Sequence, residues 1–283
     1  MPGDIVGVYD DLADRGWSAI DNPITGTDLD ALVAQFEGIV DEVGREDLAR
    51  LTSANVTGRR GGDYGYLRRV DRIESKDAFR LRLTQPDMDF TALPASLVEF
   101  MDNGREVVYE SEVAFRWILR QLDERIPGIY DMHFFDLSKT DTSVRVVVSD
   151  DDKQPSDVIA EPHKDISSLT AHLRTNRQGT FYVVQPDGQI VFPATGGDVS
   201  ALFTGAGVNT GEPGMVLPSV LHGAVNGHAQ GGDTQERRGI VVAQIQPNLA
   251  VKTTPPSFEE THVDAAGLEV LLSRITEAYQ TTS

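Results

Sequence analysis

From about residue 131 to residue 250 the chain breaks into short runs of β-branched and aliphatic residues: SVRVVV, ISSLTAHL, TFYVVQ, QIVFPA, GMVLPSVLHGAV and GIVVAQIQ. Runs of this length, bounded by turn-forming residues, read as strands. Pro186-Asp187-Gly188 sits between two of them, where proline presets φ and glycine permits positive φ, so a tight turn is expected there. Several short strands with no helix between them close on themselves as a sandwich or barrel, and a double-sheet jelly roll is the leading expectation.

The flanks have a different period. Leu29, Leu32, Val33, Phe36, Ile39, Val40 and Val43 recur at helical spacing behind Thr27 or Asp28, either of which suits a helix N-cap. A second helical pattern runs from Ser96 to Leu122. Between them RRGGDYGYLRR predicts a loop or short strands near a functional opening, with Tyr64, Tyr66, Arg68 and Arg69 either closing over a substrate or simply solvated. Ala265, Leu268, Leu271, Leu272 and Ile275 form a last helical face. The fold class is therefore mainly β with flanking helices. It is read as one domain over 1–283: a mostly helical support region at 1–130, the jelly roll at 131–250 and a C-terminal helix at 264–279.

With 44 acidic against 25 basic residues the formal net charge is −19, which repels nucleic acid and anionic lipid. No apolar run approaches the roughly 18 residues that span a bilayer, and the N-terminus lacks a signal-peptide pattern, so a soluble cytoplasmic protein is expected. The acidic composition also points away from polyanionic substrates and toward a small-molecule partner. Cysteine is absent, which leaves His, Asp and Glu as the possible metal ligands.

One stretch carries that chemistry. In EPHKDISSLTAHL, His163 and Asp165 stand two apart, the spacing that puts both on one face of a strand. His222 follows in VLPSVLHGAV, and Arg237-Arg238 leads the next strand-like run. Two imidazoles and one carboxylate cover one face of an octahedral Fe(II) and leave the remaining positions for a bidentate co-substrate and O2. If that co-substrate is 2-oxoglutarate, its second carboxylate needs a fixed cation, for which the planar fork of arginine is suited.

On these residues the chain resembles the iron(II)/2-oxoglutarate-dependent oxygenases, and within them the isopenicillin N synthase-like branch. HKDISSLTAHL is similar to the family segment H-T-D-x-x-x-L-T-x-x-L at His163, Asp165, Leu169, Thr170 and Leu173, and SVLHGAV to S-x-L-H-x-V around His222. LADRGWSAIDNP and GYLRRVDRIESKDAFRL extend the likeness into the N-terminal half. The resemblance implies a double-stranded β-helix with Fe(II) on His163, Asp165 and His222, and 2-oxoglutarate on one of Arg237 and Arg238. The family's R-x-S spacing favours Arg237, leaving Arg238 toward the helices or solvent, whereas counting back from Pro247 selects Arg238.

SVRVVV departs from the family, whose corresponding strand often carries Asn and Tyr; Arg145 there is a candidate substrate contact, together with Thr170 and Tyr66. Thr170 reads equally as core packing. The loop GAVNGHAQGGDTQE is a candidate substrate mouth, and Glu259-Glu260 a helix-start charge pair. His172 reads as a core or rim histidine, and His133, His228 and His262 as surface or supporting residues. An intact carboxylate at Asp165 implies hydroxylation rather than halogenation, with desaturation or oxidative cyclisation as alternatives on the same scaffold. The rivals outside the family are a non-catalytic jelly-roll binding protein and a cupin-type enzyme.

Overall fold

The structure, a computed structural model, describes residues 5–25, 27–50, 64–70, 73–83, 93–134, 137, 140–149, 154–178, 180–193, 199–209, 217–229, 237–247 and 262–282. In chain order the elements are α1 (Ile5–Arg15), β1 (Trp17–Asp21), α2 (Leu29–Val43), α3 (Arg45–Ala49), β2 (Gly65–Val70), β3 (Ser75–Arg82), α4 (Ala95–Leu122), α5 (Ile129–Phe134), β4 (Asp141–Ser149), β5 (Val158–His163), β6 (Leu169–Thr175), β7 (Arg177–Gln178), β8 (Phe181–Val184), β9 (Ile190–Val191), β10 (Val199–Thr204), a 3-10 turn (Ala206–Asn209), β11 (Leu221–Val225), β12 (His228–Ala229), β13 (Arg238–Gln246) and α6 (Ala265–Thr282).

Antiparallel pairing builds a seven-stranded sheet in the order β1-β10-β6-β13-β4-β3-β2 and a four-stranded sheet in the order β5-β11-β8-β9, with β12 and β7 as a small pair. These are the two layers of the expected jelly roll. Alternation gives the large sheet two unlike faces. Val144, Val146 and Val148 of β4, Leu169, Ala171 and Leu173 of β6, and Val241, Ala243 and Ile245 of β13 join Phe36 of α2 and Phe100, Val107 and Phe115 of α4 in the main core. The opposite face, marked by Ala78, Val147 and Ile240, looks into the barrel and carries many polar and charged side chains between its aliphatics.

α2 begins where the sequence placed it, and Asp28 is the cap: its carboxylate accepts from Asp30 N at 3.0 Å and Ala31 N at 3.1 Å. At the other end of the chain, α6 lays Leu271, Ile275 and Tyr279 over Tyr182 and Val225 on the outer face of the small sheet. No described helix is long and apolar enough to cross a membrane.

The first 130 residues are more than a helical support. β1 closes one edge of the large sheet and β2 and β3 the other. β3, SKDAFRLR, escapes the apolar pattern because Lys76, Arg80 and Arg82 occupy its barrel-facing positions while Phe79 and Leu81 face the helical core. β10 and the first half of β5, residues 158–160, likewise lie outside the runs read as strands. Glu259-Glu260 and residues 230–236 of the loop after His222 fall outside the described residues.

His133 is a core residue rather than a surface one. It is fully buried, its Nδ1 lies 2.7 Å from the Ile129 carbonyl, and burial pushes its pKa down to about 4. The unfolded chain takes up that proton near pH 6.5 and the folded one near pH 4, so the contribution is whole above about pH 6.5 and is lost as the pH falls toward 4. Replacing His133 with Leu is expected to flatten the dependence of unfolding free energy on pH across that window by about 1.4 kcal/mol per pH unit, read from urea melts at stepped pH. Parallel pH profiles for the two proteins would contradict this.

Candidate metal centre

β5 and β11 pair with His163 directly opposite His222. The two imidazoles stand 4.7 Å apart, centroid to centroid. Each ring is turned by its own backbone: His163 Nδ1 lies 2.7 Å from the Glu161 carbonyl and His222 Nδ1 3.1 Å from the Val220 carbonyl. A carbonyl accepts, so each Nδ1 carries the proton and each Nε2 presents a lone pair. This is the tautomer a metal ligand requires.

Asp165 completes the set from a turn, not from the strand. β5 ends at His163, and Lys164 and Asp165 continue irregularly, so the same-face spacing expected of HKD is replaced by a bend that brings the carboxylate back between the rings. Asp165 Oδ1 lies 3.6 Å from His163 Nε2 and Oδ2 3.6 Å from His222 Nε2. All three ligand atoms fall within 4.8 Å of one another. The turn is fastened to the segment after β10: Ala206 N donates to the Asp165 carbonyl at 2.7 Å and Gly205 N to that of Ser168 at 3.0 Å. A Cβ on Gly205 would run into the Ser167 carbonyl oxygen, so only glycine permits this approach.

The small sheet has a latch of its own. Tyr182 Oη reaches across β11 and donates to the Ala160 carbonyl of β5 at 3.1 Å, bridging β8 to β5 over Gly223. A side chain at residue 223 would collide with that hydroxyl. The tyrosine thus closes over the irregular step between the His222 and Ala224 rungs and keeps the two histidines level.

Electrostatics favour the ligating forms of Asp165 and His222. Burial pushes the Asp165 pKa up, but His222 and His163 outweigh it and hold the carboxylate well below its usual range. Burial lowers His222 to about 4. Burial also pulls His163 down, yet hydrogen bonding and charge from Asp165 leave it raised. His163 is 32% exposed against 11% for Asp165 and 5% for His222, so the centre opens on the His163 side. Behind it Phe203 lies 4.3 Å and Phe181 5.6 Å from the His222 ring.

The two candidate arginines part company. Arg237 turns to α2, where its Nε is 3.8 Å from Glu37 and its Nη2 3.4 Å from Asp41. Arg238 turns inward and is 1% exposed, and its Nε and Nη2 have no hydrogen-bond partner among the described residues. Burial, then the nearby Arg177 charge, lowers its pKa to about 9. The preference for Arg237 as the inward residue is thus reversed. Asn176, which the sequence reading missed, sets the orientation: its side chain donates to Arg237 O at 2.8 Å and accepts from Gly239 N at 2.8 Å, pinning the start of β13.

Two further placements differ from expectation, those of Tyr66 and Thr170, whereas His172 is the core or rim histidine expected. Tyr66 faces the helical core and donates its hydroxyl to Asp77, a carboxylate also paired with Arg45 and Arg68, so it lies away from the metal centre. Thr170 is neither core filler nor a free pocket hydroxyl: its Oγ1 donates to Asp165 Oδ2 at 2.5 Å and meets Ser167 Oγ at 2.8 Å. His172 lies inside the barrel, 4.4 Å from the Phe181 ring, and is lowered to about 3 by burial and then by the charges of His222 and Arg238. It therefore borders the space between the three ligands and Arg238. His262 forms a backbone bridge to His163, with ring centroids 6.3 Å apart.

The donor set suits a divalent ion of intermediate hardness: two neutral nitrogens and an ionised carboxylate occupy one face and leave the other open. No protein-family model matches this sequence, and no curated protein matches it. Among solved structures the fold is similar to that of a Caulobacter crescentus protein assigned to the 2OG-Fe(II) oxygenase family, at 17% identity and TM-score 0.65 over 96% of this chain and 93% of that one. It is also similar to a full-length Neurospora crassa protein in complex with alpha-KG and thymine, at 14% identity and TM-score 0.66 over 97% and 91%. A third likeness is to the dioxygenase for auxin oxidation 1 of Arabidopsis thaliana in its 2-oxoglutarate complex, at 16% identity and TM-score 0.59 over 93% and 93%. At these identities the likeness establishes the fold.

Removing the hydroxyl that steadies Asp165, by Thr170→Val, is expected to weaken Co(II) or Mn(II) binding about 10- to 100-fold in calorimetric titrations with little change in melting temperature. Unchanged affinity would show that Asp165 needs no such support.

Proposed function

We propose that this chain is an Fe(II)- and 2-oxoglutarate-dependent oxygenase that hydroxylates an unactivated C–H bond of a small molecule. The observation that carries the reading is Arg238, a buried guanidinium with two nitrogens unpartnered among the described residues, on the barrel-facing side of a fold that also gathers two histidines and an aspartate on one focus. Leaving such a charge uncompensated costs several kcal/mol, a cost that an inert jelly-roll binding protein has no reason to bear. A bound dianion removes it.

In this reading His163, Asp165 and His222 hold the iron, and Arg238 pairs two-to-two with the distal carboxylate of 2-oxoglutarate. When bound, iron and 2-oxoglutarate would supply the oxidising chemistry, coupling the consumption of O2 and the conversion of the keto acid to succinate and CO2 to oxidation of the substrate. The protein's own part is positional. The carbonyls of Glu161 and Val220 fix the two tautomers, Thr170 and Ser167 fix the carboxylate, and Phe181 and Phe203 keep water from the inner side of the centre. Neutral His172, beside the path from the metal to Arg238, is placed to touch the co-substrate. Complexes of the similarly folded Neurospora protein with alpha-KG and thymine, and of the auxin dioxygenase with 2-oxoglutarate, support this use of the cavity. The branch proposed is the isopenicillin N synthase-like one, on the HKD and LHG segments.

Mixed without oxygen, the protein, Fe(II) and 2-oxoglutarate are expected to develop a weak visible charge-transfer band that His163→Ala abolishes. Arg238→Gln is expected to raise the 2-oxoglutarate concentration at half-saturation by about 100-fold, the value of two charge-assisted hydrogen bonds, and Arg237→Gln to leave it unchanged. A band that survives His163→Ala, or that responds to Arg237 rather than Arg238, would contradict the assignment.

A further inference from the structure

The barrel holds more positive charge than the iron chemistry uses. Alternation turns Lys76, Arg80 and Arg82 of β3 and Arg145 of β4 to the same inner face as Ala78 and Val147. Arg80 and Arg145 stand directly opposite each other in register, a like-charge pair. Arg82 is bonded to Asp141, and Lys76 Nζ lies 3.0 Å from Glu74. The Arg145 guanidinium makes no hydrogen bond and no ion pair with any described residue. The carboxylates whose charge reaches it are Asp165 and Glu74. Asp165 is committed to the metal centre, and Glu74 to Arg69 at 2.9 Å and Lys76.

Shortage of acid does not explain this. The chain has 44 acidic residues against 25 basic ones, yet none of those described closes on Arg145. Arg145 is also set apart along the strand from the arginine assigned to the co-substrate. Arg238 pairs with Ser149, whereas Arg145 lies four residues back along β4, roughly 13 Å away at about 3.3 Å per residue. On its own rung Arg145 is level with Val242 and, across it, with His172. The acidity of the whole chain therefore stops at the barrel wall, and the expectation that charge disfavours anionic substrates does not extend to its interior.

We propose that Arg145 is the anchor for a carboxylate of the substrate, so that this enzyme acts on a small organic acid. One planar fork satisfies one carboxylate with two parallel hydrogen bonds, while the open side of the metal centre faces the rest of the molecule. Phe181 and Phe203, stacked with centroids 5.2 Å apart, give the cavity an apolar wall suited to the carbon skeleton. The inference rests on the oxygenase reading and adds the substrate's charge to it.

The test uses the anaerobic protein loaded with Fe(II) and saturating 2-oxoglutarate, and a matched pair of probes, phenylacetate and phenylacetamide, followed by their effect on the charge-transfer band. The wild type is expected to bind the acid about tenfold or more tightly than the amide. Arg145→Gln is expected to abolish that preference and leave 2-oxoglutarate half-saturation within about threefold, and Arg145→Lys to keep part of the preference. The band itself reports that each variant is folded and loaded. Equal binding of acid and amide by the wild type overturns the proposal whatever the variants do. So does a loss of 2-oxoglutarate affinity in Arg145→Gln as large as in Arg238→Gln, which would make Arg145 a co-substrate contact. A wild type that forms no band at all sinks the oxygenase reading and this one with it.

Discussion

The structure depends on a single rung of a small sheet. Antiparallel pairing of β5 with β11 sets His163 across from His222, and every other feature of the centre is arranged around that pair. A shift of one residue in either strand would send one imidazole to the outer face, under α6. The rung sits beside an irregular step, where pairing is weakest, and there the fold places Tyr182 over Gly223 as a brace. α6 then packs on the same tyrosine from outside, together with Val225 of β11.

Charge is partitioned by layer. Surface acid sets the net charge of the molecule, while the inner face of the large sheet collects arginine and lysine against a few buried carboxylates. Two of those arginines are short of partners among the described residues: Arg238, beside Ser149, has two unpartnered nitrogens, and Arg145, level with His172, makes no hydrogen bond or ion pair. A barrel whose interior is short of negative charge is preorganised for anions, and the desolvation cost of holding it open is recovered when they bind. In our reading one place takes the co-substrate and the other the substrate.

Much of this was legible in the residues. The turn-bounded apolar runs announced a rolled sheet, and the helical periods around Phe36 and Phe115 announced its buttress. The three candidate ligands stood out because the sequence has no cysteine and few histidines, so metal chemistry would have little else to use. What stayed hidden has physical causes. β3 was obscured because Lys76, Arg80 and Arg82 charge its inner positions, which erases the apolar alternation of an ordinary strand. The choice between Arg237 and Arg238 turned on Asn176, whose two hydrogen bonds to the backbone leave no mark on spacing. The bend at Lys164 and Asp165 depends on the remote segment Gly205–Gly207, and the role of Thr170 follows from that bend.

The central claim is that three side chains converge on one ion while Arg238, and not Arg237, receives the far end of a dicarboxylate. A crystal structure of the protein prepared without oxygen in the presence of Mn(II) and 2-oxoglutarate tests it most directly. The account predicts one manganese peak bonded to His163 Nε2, His222 Nε2 and an Asp165 oxygen, with the distal carboxylate forked onto Arg238. Manganese bound elsewhere, or a dicarboxylate that leaves Arg238 unpaired, would contradict it.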